Sequence, residues 1–193
     1  TDGPGGWLRP TEGEQREAGV KYLSLDSNTS MAFAWFEIEQ QGRVVQGNTP
    51  GGLQQAGALT RGWELEAKHR IGDWELLGNY THMNAFNDTT KIRLSAVAEK
   101  FGSAWAQYRI NENWRVGAGT RYIGNVVGGG GAPVVDAVTL FDAMVGYSYG
   151  PWDVRATVRN IADKEFVSWC RGIGQDCGYG ERQNAVLSAN YKF

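Results

Sequence analysis

Hydrophobic runs long enough to form a membrane-crossing helix are missing from this sequence. No uncharged apolar stretch approaches the ~18 residues at which such a helix becomes a candidate, and the uncharged segment 44–60 is rich in Gly and Gln. Histidine is scarce: His69 and His82 are the only two, and no HExxH pair is present. There is no GxSxG elbow for a nucleophilic serine. The GGGG run at 128–131 is not followed by Lys and Ser or Thr, so it lacks the chemistry of a phosphate-binding loop. These absences leave no constellation for an enzyme. A net charge of −2 gives no electrostatic reason to expect nucleic acid. The opening TDGPGGW has no Met, basic region or apolar region, so a signal peptide is either removed or the chain is a segment of something longer.

What the sequence does contain is glycine, 27 of 193 residues, and aromatics, 12% of the chain. Its mean hydropathy of −0.42 would suit a soluble domain. It equally suits a wall of strands with lipid on one side and water on the other, because alternate residues then face opposite media. Apolar residues recur with period two. Trp114, Val116, Ala118 and Tyr122 alternate with Arg115, Gly117, Gly119 and Arg121. Trp152, Val154, Ala156 and Val158 alternate with Asp153, Arg155, Thr157 and Arg159. Trp63, Leu65 and Ala67 alternate with Glu64, Glu66, Lys68 and Arg70, and Ala185, Leu187, Ala189, Tyr191 and Phe193 form the last apolar face. The pattern predicts strands at 13–23, 29–41, 58–70, 74–85, 98–110, 114–126, 137–149, 152–168 and 181–193. Many run longer than the mode of about 5–6 residues in globular sheets and suit a tilted membrane crossing.

Short and long links alternate between these strands. The short ones are 24–28, 71–73, 111–113 and 150–151; the long ones are 42–57, 86–97, 127–136 and 169–180. Three short turns lead at once into Trp74, Trp114 and Trp152, an internal hairpin repeat. The fold class predicted is therefore all-β: an antiparallel transmembrane β-barrel wall with tight turns and a Trp girdle at one rim and long loops at the other. Nine strands cannot close an antiparallel bacterial barrel, which takes an even number. The lumenal acids Glu64 and Glu66 are expected to balance Lys68, Arg70, Arg155 and Arg159 rather than act as a hydrolytic pair. Cys170 and Cys177, in WCRGIGQDC, are too few for zinc. They form either a local disulfide in an oxidising compartment or a pair of free thiols, with Gly172, Gly174 and Asp176 supplying turn chemistry for the first.

The segments EGEQREAGVKY (12–22), TRGWELEAKHR (60–70), VTLFDAMVGYSYG (138–150), VRNIADKEFVSWC (158–170) and ERQNAVLSANYKF (181–193) together resemble TonB-dependent siderophore receptors. They resemble most the ferrichrome/hydroxamate-type branch, in which two cysteines also stand in the last extracellular loop. The resemblance implies that residues 1–193 are about nine C-terminal strands of a 22-stranded plugged barrel in the bacterial outer membrane, with the plug and earlier strands absent from this chain. It implies energy-coupled uptake of a ferric siderophore, hydroxamate-like, by a monomeric receptor. Its partners would be the siderophore, outer-membrane lipid, the TonB–ExbB–ExbD complex acting through the plug, and the barrel-assembly machinery. A passive porin or structural barrel is the alternative. No cofactor is implied, because the iron is held within the siderophore. Ligand contact falls to aromatics near the long-loop rim: Trp7, Phe86, Trp169 and Tyr179. Tyr179 lies between two glycines that would let it project inward. Tyr191 and the terminal Phe193 match the family's assembly signal, while Val186 and Ser188 depart from it.

Overall fold

Alternation of apolar and polar residues becomes the two faces of one sheet. The structure, a computed structural model, describes residues 8–46, 53–129, 132–170 and 176–193. Nine strands pair in the order β1 (Glu12–Leu23), β2 (Thr29–Gln46), β3 (Leu53–Ile71), β4 (Trp74–Asn87), β5 (Lys100–Arg109), β6 (Trp114–Ile123), β7 (Val138–Tyr149), β8 (Trp152–Arg159) and β11 (Asn184–Tyr191). Every pairing is antiparallel. A separate ribbon, β9 (Val167–Cys170) with β10 (Cys177–Tyr179), stands between β8 and β11.

Register aligns like with like across the wall. One row runs Trp114, Tyr147, Val154, Ala189, and the next Val116, Val145, Ala156, Leu187. On the other half of the wall, Val20, Phe33, Leu65 and Tyr80 share a row. These outward residues stay open, with Phe33 and Trp35 each 43% exposed and Leu187 75%. A contiguous apolar surface on this scale belongs against lipid. At the short-turn rim the three Trp residues each pack against a Tyr, two tilted and one edge-on: Trp74 with Tyr108 at 4.8 Å, Trp114 with Tyr147 at 4.6 Å, and Trp152 with Tyr191 at 4.9 Å. Phe193 continues the last cluster, 5.1 Å from Tyr191. Toward the other rim Trp63 is sandwiched among Phe33, Tyr80 and His82, the last nearly parallel to it at 6.0 Å. His82 is thus a wall residue, and His69 likewise, its Nδ1 2.9 Å from Thr29 Oγ1.

The opposite face is lumenal, and its glycines hold the large side chains of their neighbours. A Cβ on Gly117 would lie 2.6 Å from Trp105 Cζ2, and one on Gly119 would enter the same ring. One on Gly146 would lie 2.8 Å from the Arg115 guanidinium. Arg115 thereby reaches Ser148 Oγ and Asp153, each at 2.8 Å, across two strands. Glu64 and Glu66 do not balance the predicted cations. Lys68 and Arg70 both pair with Glu75, at 2.9 and 3.1 Å, and β8 with Arg155 and Arg159 lies five places along the sheet.

The predicted strand 152–168 is two elements. β8 stops at Arg159 because Asn160 adopts φ +48° and Asp163 φ +49°, turning the chain out of the sheet. The predicted 42–57 link is also shorter, since β2 and β3 keep pairing beyond the wall through a bulge between Gln40 and Arg43 that Gly42 permits at φ +70°. The other strands begin or end within a few residues of their predicted bounds. The buried apolar cluster is not in the wall. It lies among the long loops, where Val126, Ala132, Val135 and Cys170 pack with Ala98 and Val167.

Candidate functional site

The long-loop rim is built upward from Asn160, whose side chain is 1% exposed. Burying an amide costs free energy unless its donors and acceptor are used, and here they are. Nδ2 donates to the carbonyls of Lys164 and Glu181, at 2.9 and 3.1 Å, and Oδ1 accepts from the Lys164 amide at 2.9 Å. The Asn160 amide in turn donates to Asp142 Oδ1 at 2.8 Å, and Arg121 grips the same carboxylate with two bonds of 2.6 and 2.9 Å. One buried residue, through its side chain and its backbone amide, thus ties the lumenal wall of β6 and β7 to both stems of the loop that carries β9 and β10.

A second brace closes the stems. Arg182 reaches Asp163 through two bonds, of 2.8 and 2.6 Å, and also pairs with Glu165. The guanidinium, with help from the Gln183 amide, holds the Asp163 carboxyl far below the usual carboxylate range. Above the stems, Cys170 and Cys177 are joined in a disulfide.

Glycine spacing sets which aromatics the ribbon shows. The Trp169 indole occupies the space over Gly178, and the Phe166 ring the space over Gly180. Tyr179, between those glycines, alternates to the opposite side and is 75% exposed. Trp169 and Tyr179 therefore share one ribbon but face away from one another. Phe86 sits elsewhere, half-buried on β4 opposite Leu59, with Lys91 Nζ 5.8 Å from its ring centroid. Trp7 lies outside the described residues.

Phe166, Asn160 and the Arg121–Asp142 pair do not stand out in the sequence. The signal for Phe166 was present in the second glycine of Gly178–Tyr179–Gly180, since a glycine on a strand often marks a close approach by another group. Beside the ribbon, residues 133–138, 164–167 and the disulfide enclose a cleft of about 490 Å³. Among the described residues no group of three His, Cys, Asp or Glu could hold a metal ion.

Residues 1–161 match the family model described as TonB dependent receptor-like, beta-barrel. The chain is 28% identical to the catecholate siderophore receptor Fiu of Escherichia coli, covering 96% of this chain and 26% of that protein. It is 28% identical to the ferrioxamine receptor of Yersinia enterocolitica, over 96% of this chain and 28% of that one. Identity is also 28% to the ferrichrome outer membrane transporter/phage receptor of Escherichia coli, over 98% of this chain and 27% of the other. In fold, the chain superposes on the closed form of Escherichia coli Fiu with a TM-score of 0.74 at 25% identity, over 96% of this chain and 28% of Fiu. Pyoverdine receptor FpvA of Pseudomonas aeruginosa shares the fold with a TM-score of 0.77 at 22% identity, over 96% and 30%. The chain spans about a quarter of the length of the curated relatives it matches.

Proposed function

Because the chain belongs to the TonB-dependent receptor β-barrel family, we propose that it forms the C-terminal wall and part of the ligand cup of a receptor that takes up a ferric siderophore of the hydroxamate type. The family is one of integral outer-membrane barrels, and the short-turn rim with its Trp–Tyr girdle is then the periplasmic end. Uptake would draw on the TonB–ExbB–ExbD complex through a plug supplied by another part of the protein. The role proposed is that of a transporter. Iron arrives already coordinated, so the cup reads the organic shell and needs no resident metal. The barrel-assembly machinery would recognise Tyr191 and Phe193, and the receptor would work as a monomer in outer-membrane lipid.

The observation that carries the reading is the braced, disulfide-closed ribbon at the loop end of a lipid-facing wall. It holds Tyr179 out at 75% exposure on a ribbon tied by the disulfide. A pre-ordered aromatic lowers the entropy cost of association. Trp169, Phe86 and Trp7 are the further proposed contacts. In the full-length receptor, Tyr179→Ala should weaken ferric hydroxamate binding by about 1–2 kcal/mol, the scale of a buried aromatic anchor. Tryptophan fluorescence quenching measures this, and an unchanged affinity would remove Tyr179 from the cup.

A further inference from the structure

The cleft beside the disulfide ribbon has a position and a charge that the wall and the aromatic contacts do not explain. Val138 lines it. This residue stands opposite Ile123, two positions above the Arg121–Leu140 pair on the lumenal face. The cleft therefore opens on the lumenal side of the loop rim, next to the ribbon that displays Tyr179. At about 490 Å³ it falls within the size range of small-molecule sites.

Its lining combines apolar side chains with three charged ones. Val134, Val138, Phe166 and Val167 supply the apolar surface, and Val134 is still 55% exposed. Asp136, Lys164 and Glu165 stand on its border. Glu165 and the neighbouring Asp163 are already engaged by Arg182. Asp136 has no ion-pair partner among the described residues. Among the described residues that line the cleft, two carboxylates stand beside one ammonium, a slight excess of negative charge about an apolar slot.

That combination discriminates between the ways iron is wrapped. Three hydroxamates cancel the charge of iron(III), and linear trishydroxamates join their binding groups with runs of methylenes. Three catecholates leave a triply negative complex made of aromatic rings. An apolar slot with net negative surroundings accepts the first and repels the second. We infer that the cleft between residues 133–138 and the disulfide ribbon is a subsite for an oligomethylene arm of a neutral or cationic ferric hydroxamate, with Asp136 placed for a ligand ammonium. The inference rests on the proposed function and adds to it the place on the loop rim where the ligand's linking chain is held.

The test is calorimetric titration of the full-length receptor with ferrioxamine B, a linear trishydroxamate bearing an ammonium, and with an iron(III) tris-catecholate. The wild-type receptor should prefer ferrioxamine B. Val134→Trp, which fills the slot from its exposed side, should weaken ferrioxamine B by roughly tenfold or more, on the scale of a blocked apolar contact. Asp136→Asn, a change too small to disturb folding, should weaken it by about threefold, in line with the modest strength of exposed charge pairs. Wild-type affinity for ferrioxamine B in both variants would overturn the subsite while leaving the hydroxamate receptor standing, whereas a preference for the tris-catecholate would overturn the hydroxamate reading and the subsite together. Absence of binding to either complex by the wild type would overturn the proposed function and the subsite together.

Discussion

Trp105 shows how single residues shape this wall. Its ring lies flat across β6 because Gly117 and Gly119 leave the space, just as Gly146 leaves space for Arg115. Composition makes the glycines conspicuous, and alternation places them on the lumenal face. Their purpose is set by the residue across the strand, which only the register supplies. Gly119→Val should therefore cost about 1–3 kcal/mol, as overpacking does. Adding Trp105→Ala should recover most of that loss in a double-mutant cycle. Denaturation of the full-length receptor in detergent measures both, and a purely additive cycle would contradict the contact. The same logic applies to Gly178 and Gly180. Glycines that sequence reading takes as freedom for Tyr179 are seats for Trp169 and Phe166, and Tyr179 is exposed as a consequence.

Among the elements, the wall strands were legible from their two-residue period, reinforced at three hairpins by a tight turn entering Trp74, Trp114 or Trp152. The end of β8 was not legible. VRNIADKEF reads as a continuing strand, but Asn160 leaves the sheet at a positive φ, and its side chain takes over the hydrogen bonds of the stems. That is a tertiary exchange with no local periodicity to announce it. Salt-bridge chemistry sets the pH behaviour of this element. Asp163 is depressed below its ordinary range by Arg182, so its contribution is complete above a pH of about 4 and is lost as the medium falls well below that. Limited proteolysis of residues 160–183 in the full-length receptor should accordingly be unchanged from neutral pH down to about 5. Asp163→Asn should raise cleavage at neutral pH without altering the barrel's melting. Equal protease resistance of the variant would mean that the brace does not hold the stems.

For the whole molecule, the nine-stranded sheet leaves β1 and β11 as open edges, with apolar side chains exposed along its outer face. Such a surface is tenable only inside a larger closed barrel in lipid, in keeping with relatives about four times as long. Assembly belongs to this scale. Phe193 extends the Trp152–Tyr191 cluster at the periplasmic rim, and deleting it should lower the yield of receptor inserted in the outer membrane. Undiminished insertion would assign the cluster to the girdle alone. The proposed function is that of an energised receptor rather than an open pore. The most direct measurement is uptake of radiolabelled ferric hydroxamate by iron-starved cells carrying the full-length protein, with and without a protonophore. Saturable uptake that stops when the proton-motive force collapses is the predicted result; non-saturable uptake that survives the protonophore would contradict it.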